Sequence, residues 1–220
     1  MSELTLYGAH LSPYVRKVRL ALAVKELDYK HVIVIPFQKD HPPEFTQNSP
    51  LRKIPLLKAG DQFIPDSSVI CQYLERAYPA TPLLPEDAGK AARALWFEEY
   101  ADSHMTAVIA GHLFAEKILA GPLFNRAPNE DEIALAINEE IPGICAYLES
   151  QLEGDYLVDN TLTLADLAVG GLFVAMHHCD VACDAAKFPK VAAYIDRLLS
   201  HPAFVKTMQE EEMMLKMLSA

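Results

Sequence analysis

Basic residues are scarce in this chain. Lys and Arg number 19 against 30 Asp and Glu in 220 residues, a formal net charge of −11. Nucleic-acid binding needs clustered Lys and Arg to meet phosphates, so this balance argues against it. It argues against anionic membrane surfaces as well, although one local pocket can oppose the global field and hold a small anion. Long apolar runs are missing too. None approaches the ~20 residues that a membrane-spanning helix needs, while the apolar fraction of 51% is ordinary for a globular protein. The opening Met1-Ser2-Glu3-Leu4 has no basic stretch followed by an apolar one, so no secretory leader is expected. Cysteine is sparse. Cys71, Cys145, Cys179 and Cys183 are scattered and form no C-x-x-C pair. That pattern suits reduced core thiols in a cytoplasmic protein better than a disulfide framework.

What remains is a chain of two dissimilar halves. Residues 1–79 mix short strand-like runs with helices, and residues 88–220 read almost wholly as helix. Between them, Pro79, Pro82 and Pro85 interrupt both helix and sheet, so residues 80–87 are expected to link two domains. Leu4-Thr5-Leu6-Tyr7 alternates like a strand. Ser12-Pro13 opens a helix, because Ser is a good N-cap and Pro suits the first helical position. That helix is expected to bury Val15, Val18, Leu20 and Leu22 and to leave Arg16, Lys17 and Arg19 mostly outside. His31-Val32-Ile33-Val34-Ile35 reads as a buried second strand. Ile54-Pro55-Leu56-Leu57 and Gln62-Phe63-Ile64 flank a tight turn tipped by Ala59-Gly60-Asp61. Asp66-Ser67-Ser68 caps a helix running to about Tyr78. The predicted layout is βαβαββα, a small mixed sheet with helices on both faces. Further helices are predicted near 88–118, 129–152, 163–178, 188–200 and 202–216, the third opened by a capping box at Thr163-Leu164-Ala165-Asp166.

Five segments, in order, carry a family likeness. Ser12 to Arg19 resembles the first-helix motif of serine-type glutathione transferases, closest to the tau and phi classes and their bacterial relatives. Asn48 to Leu57 resembles the loop before that family's cis-proline. Pro65-Asp66-Ser67-Ser68-Val69-Ile70 resembles its glutamyl-binding turn. Leu162 to Val169 resembles the capping motif of its sixth helix, and Phe188-Pro189-Lys190-Val191 with His201-Pro202-Ala203-Phe204 resembles its C-terminal helices. The resemblance implies a thioredoxin-like N-terminal domain that binds glutathione and an all-α C-terminal domain that walls a pocket for a hydrophobic electrophile. It also implies a homodimer, with glutathione as co-substrate and no metal.

The resemblance further implies roles for single residues. Ser12 would hydrogen-bond the glutathione sulfur. A free thiol has a pKa near ~8.5, and lowering it by about two units takes ~2.7 kcal/mol. One charge-assisted hydrogen bond supplies ~1.5–3 kcal/mol and a helix N-terminus up to ~1 kcal/mol, so the arrangement suffices. Taken alone, Ser12 also reads as a plain helix cap. Ile54, before a cis-Pro55, would pair its backbone with the cysteinyl unit. Asp66 and Ser67 would hold the γ-glutamyl ammonium and carboxylate. Lys53 and His41 would meet the glycyl carboxylate, with Gln38 competing for the place of His41. His10, Tyr14 and Thr106 are candidates for the electrophile wall, and Trp96, Tyr100 and His104 form a stripe that usually means packing. His177, His178, Cys179 and Cys183 include metal-ligand types, but no second cluster with zinc spacing accompanies them. Asp166 reads as structural. Ser12 in place of a cysteine argues against mixed-disulfide chemistry at the active site. Two other readings stand beside the transferase: a non-catalytic protein of the same fold, and a glutathione-dependent isomerase or dehalogenase. The zeta-type isomerases usually show Ser-Ser-Cys at the first helix, which Leu11-Ser12-Pro13 lacks.

Overall fold

Leu4–Tyr7 alternates its side chains between two covered faces, and in the computed structural model, which describes residues 3–218, it forms β1 with every residue buried. The chain divides into two compact units at Leu83–Leu84. In the first, β1 pairs in parallel with β2 (Lys30–Val32) and antiparallel with β3 (Leu56–Ala59), which pairs antiparallel with β4 (Gln62–Pro65). The sheet order is β2-β1-β3-β4. Helices α1 (Pro13–Val24), α2 (Pro43–Asn48) and α3 (Ser67–Ala77) complete the βαβαββα order of a thioredoxin-like α/β fold. The β3–β4 turn has only two residues, Gly60 and Asp61. Gly60 takes φ +61°, which a residue with a side chain adopts reluctantly.

Two expectations need correction. The second strand is not the buried run 31–35. β2 stops at Val32, its residues are exposed or half-buried, and Ile33 is 44% exposed. It is an edge strand, so only one of its long sides is covered by sheet. Nor do Arg16, Lys17 and Arg19 face outward: they are 0%, 1% and 1% exposed. Helix α1 is covered all round, and two of these cations meet oxygen instead of water. Lys17 Nζ donates to Ser68 Oγ at 3.2 Å and Arg19 Nη1 to the His10 carbonyl at 3.4 Å.

The proline-rich segment begins fastened to the first unit. Lys25 Nζ reaches the carbonyls of Tyr78 (3.0 Å) and Thr81 (2.7 Å) and the Glu75 carboxylate (2.8 Å). The Leu83 amide donates to both Glu75 oxygens at 3.0 Å.

The second unit is all helical among the described residues. α4 runs from Ala88–Tyr100 without a break into the wider-wound Ala101–Leu119. α5 joins Glu130–Leu135, Ala136–Glu140 and Ile141–Gln151. α6 (Leu164–His178), α7 (Pro189–Ser200) and α8 (Pro202–Leu218) follow. Helix α6 is the centre: Leu164 to Met176 are all buried, and it packs on α4, α7 and α8. At Gly170 a methyl group would lie 2.7 Å from Leu198 Cδ1 and 2.8 Å from the Phe204 ring, so the helices cross too closely for any side chain. None of the described helices is long and apolar enough to cross a membrane.

Asp166 anchors this core. Its carboxylate accepts from the amides of Leu157 (3.0 Å) and Thr163 (2.7 Å) and the hydroxyls of Thr163 (2.9 Å) and Tyr194 (2.9 Å). An unmet buried donor costs about 1–3 kcal/mol. Asp166→Ala strands at least two of them, so unfolding in denaturant should show a loss of at least ~2 kcal/mol.

Candidate functional site

The strand register assembles the site. Tyr7 pairs with Val32 on one side and Leu56 on the other, and Leu56 pairs with Pro65. That row is one end of the sheet. From it spring the Gly8–Leu11 loop leading to Ser12, the Ile54-Pro55 approach to β3, and the Asp66 turn into α3. The three elements therefore start side by side.

Ser12 is the N-cap of α1, with Pro13 at the first helical position. Its Oγ accepts from the Val15 amide at 3.5 Å, the outer limit of a hydrogen bond, and it is half-buried. The hydroxyl proton has no acceptor among the described residues, so it remains available to an incoming anion. The loop behind it is tight. The Gly8 amide donates to Val32 O at 3.0 Å, and a Cβ on Gly8 would lie 2.4 Å from Val15 Cγ2. His31 Nε2–H donates to the Gly8 carbonyl at 3.0 Å and stacks on His10, ring centres 4.2 Å apart. Burial, with the nearby charges of His10 and Arg19, pushes the His31 pKa down from 6.5 to about 4.

Tyr7 is the other hydroxyl within reach of the strand end. Its side chain is buried with Val34, Phe45 and Leu56, and its hydroxyl donates to Glu44 on α2. Burial and that carboxylate raise its pKa to about 12. A hydroxyl already given to a carboxylate is a poor partner for a second anion, so Tyr7 is a core residue. Sequence reasoning missed Glu44, whose carboxylate joins Tyr7 to Lys58 Nζ at 2.6 Å.

The Ile54–Pro55 peptide bond is cis. Since β3 starts only at Leu56, the Ile54 N–H and C=O lie beyond the ladder and have no backbone partner among the described residues. Pro55 is buried and Ile54 half-buried against the Tyr7 cluster. Lys53 is exposed, and its carbonyl accepts from Ser49 Oγ at 3.0 Å.

Asp66 caps α3, with Oδ1 accepting from the amides of Ser68 (2.9 Å) and Val69 (3.2 Å). It holds φ +77°, a conformation that costs a non-glycine residue about 1–3 kcal/mol. The cap uses one carboxylate oxygen and leaves Oδ2 for a cation. The Ser67 amide at the first helical position is left for an anion, and the Ser67 hydroxyl makes no hydrogen bond among the described residues.

Other predicted site residues sit elsewhere or are already engaged. His41 Nε2–H donates to the Ile35 carbonyl at 3.0 Å and the ring packs edge-on against Phe45, so it braces its own loop. Gln38 is exposed in that loop. His10 and Tyr14 are half-buried, on the loop before α1 and in its first turn. Thr106, in the second unit, gives its hydroxyl to the Ala101 carbonyl at 2.8 Å. Trp96 and Tyr100 belong to a packed aromatic group: Trp96 Nε1–H donates to Tyr147 Oη at 2.8 Å, and Tyr100 stacks at 4.9 Å from Tyr147 and 5.3 Å from His104. His178 pairs with Glu211 at 3.0 Å. Among the described residues no three His, Cys, Asp or Glu side chains converge as a metal site would require.

The sequence matches the glutathione S-transferase N-terminal domain over residues 6–82 and the glutathione S-transferase C-terminal domain over residues 112–202. This chain belongs to the glutathione S-transferase family. It is 30% identical over 208 residues to glutathione S-transferase 1 of Dianthus caryophyllus, covering 92% of this chain and 90% of that one. It is 29% identical over 202 residues to a probable maleylacetoacetate isomerase of Caenorhabditis elegans, covering 91% and 90%. A crystal structure of a glutathione transferase homologue from Drosophila mojavensis, with bound glutathione, superposes with a TM-score of 0.77 at 29% identity, covering 96% and 94%. A zeta-class transferase of Euphorbia esula stands among the relatives beside proteins named only as glutathione S-transferases, so the likeness is to the family and not to one class.

Two outcomes test this account of the strand end. Tyr7→Phe should keep glutathione-dependent turnover within about twofold while losing ~1 kcal/mol of stability with its hydrogen bond. His31, neutral in the fold, takes up a proton near pH 6.5 only once unfolded. It should therefore erode stability as the pH falls from 6.5 towards about 4. Unfolding measured across that range should have a shallower slope in His31→Gln.

Proposed function

We propose that the chain conjugates the thiolate of glutathione to hydrophobic electrophiles, with Ser12 stabilising the thiolate. The observation that carries this reading is the row Val32–Tyr7–Leu56–Pro65, from which an available serine hydroxyl, an unpaired backbone edge and an incompletely capped helix start all emerge. Glutathione offers a thiol, a peptide and a γ-glutamyl head in the same sequence. Its sulfur would meet Ser12 Oγ at the positive end of α1. Its cysteinyl peptide would pair with the backbone of Ile54, as an added strand pairs with an open edge. Its glutamyl carboxylate would take the amide and hydroxyl of Ser67, and its ammonium the second oxygen of Asp66. Lys53, exposed beside Ile54, is the cation for the glycyl carboxylate. His41 is a weaker candidate, because its Nε2–H is already given to Ile35.

The chemistry asked of the protein is modest. It binds and orients a thiol, holds it ionised, and leaves the electrophile to be attacked. His10 and Tyr14, in the first unit, are proposed to shape the electrophile's pocket. The likeness to a maleylacetoacetate isomerase favours one second reading, glutathione-dependent isomerisation, against which the absence of Ser-Ser-Cys before α1 counts.

A thermal-shift titration tests binding first. Glutathione should raise the melting temperature, as any ligand that prefers the native state does; no shift at millimolar glutathione would favour a non-catalytic scaffold. A panel of aryl halides, epoxides, peroxides and maleylacetoacetate then separates conjugation from isomerisation. Ser67→Ala should weaken glutathione binding by ~1.5–3 kcal/mol, the worth of a hydrogen bond to a charged group. Stability should change by less than ~1 kcal/mol, because the capping side chain belongs to Asp66. Lost stability with unchanged affinity would make Ser67 a purely structural residue.

A further inference from the structure

The loop that carries Ser12 is held from the neighbouring strand. Gly8, at the start of that loop, is fixed through both of its backbone polar groups. Its amide donates to the Val32 carbonyl at 3.0 Å, and its carbonyl accepts from His31 Nε2–H at 3.0 Å. Gly8 is also wedged between two elements of the site. A Cβ there would lie 2.4 Å from Val15 Cγ2 and 3.5 Å from Ile54 Cβ. Val15 gives its amide to Ser12 Oγ, and Ile54 precedes the cis-proline. At the far end of the loop, the Ser12 amide closes back onto the Ala9 carbonyl at 3.2 Å. His31 therefore grips the chain where the Ser12 loop meets both α1 and Ile54.

The ring of His31 is itself held. It stacks on His10, centres 4.2 Å apart, and lies 6.0 Å from the Tyr29 ring. The His10 carbonyl is fixed in turn by Arg19 Nη1 at 3.4 Å. Burial, with the charges of His10 and Arg19, keeps the His31 imidazole neutral near neutral pH. A neutral imidazole has one N–H, and the Gly8 carbonyl takes it. His31 has no proton left to give a substrate, so it can act only through the loop.

We propose that His31 is a positioning residue for the thiolate site: through the Gly8 carbonyl it sets where the Ser12 hydroxyl stands relative to the Ile54 backbone. The inference rests on the reading of Ser12 given above. On that reading glutathione spans the two points, its cysteinyl peptide on Ile54 and its sulfur on Ser12. The sulfur cannot follow a displaced hydroxyl while its own peptide stays paired. The spacing between Ser12 and Ile54 therefore decides the strength of the sulfur hydrogen bond, which falls off steeply with distance and angle. A misplacement of about 1 Å far from the reacting atoms can cost up to ~100-fold in rate. Loss of the His31 grip should thus weaken thiolate stabilisation and leave the peptide contacts in place.

The test is the ionisation of bound glutathione against pH in His31→Phe, which keeps a ring on His10 but removes the donor. The bound thiol should ionise about one pH unit higher than in wild type, so turnover near neutral pH should fall roughly tenfold. KM for glutathione should stay within about twofold, and raising the pH should restore the rate. His31→Gln, whose side-chain amide can donate to the same carbonyl, should recover most of the loss. In the Ser12→Ala background His31→Phe should move the curve no further, because both act through one hydroxyl. The proposal is overturned if Ser12→Ala moves the curve and His31→Phe does not, if the two shifts add, or if His31→Gln is as impaired as His31→Phe. A Ser12→Ala curve identical to wild type would instead overturn the reading of Ser12, and this inference with it. Should His31→Phe misfold, nitrogen NMR of the wild-type imidazole decides: a neutral ring protonated on Nε2 is expected, and a ring protonated on Nδ1 would overturn the proposal.

Discussion

The pairing of Tyr7 with Val32 and Leu56, and of Leu56 with Pro65, is the constraint on which the site depends. Side chains alternate along a strand, so a slip of one residue would turn Tyr7 from the Phe45 side of the sheet to the opposite one. It would also pull the Gly8 loop away from Ile54 and the α3 start out of line. The register is held from both faces. Leu6 is fully buried on one, and Tyr7 packs with Val34, Phe45 and Leu56 on the other, its hydroxyl fixed by Glu44. Glu44 in turn is held by Lys58 on the neighbouring strand, so the contacts that place the sheet end also take Tyr7 out of the chemistry.

What the sheet end presents is two helix beginnings, and each is capped incompletely. Helices leave their first amides without partners, and side-chain caps normally satisfy them. Asp66 satisfies two and leaves the Ser67 amide. Ser12 reaches its amide only at 3.5 Å. A cap and a ligand site are thus one feature seen in two states, since the donor a cap neglects is the donor an anion can use. The positive φ of Asp66 fits this view: the backbone is held in a costly conformation where it points a helix start outwards.

Local signals were legible in the sequence because they act over a few residues. The caps at Ser12, Asp66 and Thr163, a tight turn around Gly60 and the helical second half all follow from short-range chemistry. The cis bond before Pro55 was legible only through the family likeness. Long-range partners were not legible. Nothing near Arg16, Lys17 and Arg19 announces that the oxygens of Ser68 and His10 let their helix be buried all round. Nothing near His31 shows that its strand ends at Val32 on a sheet edge. Tyr7 and Glu44 meet only because the folded chain returns to the same place.

The central claim is that the hydroxyl of Ser12 holds glutathione as its thiolate at the start of α1. Its most direct test is the thiolate absorbance of the glutathione complex measured against pH, in wild type and in Ser12→Ala. The account predicts that the bound thiol ionises well below the ~8.5 of a free thiol in wild type. In the variant it should move up by about one to two pH units, the worth of one charge-assisted hydrogen bond, with glutathione affinity almost unchanged. Superimposable curves would contradict it and leave Ser12 as a helix cap alone.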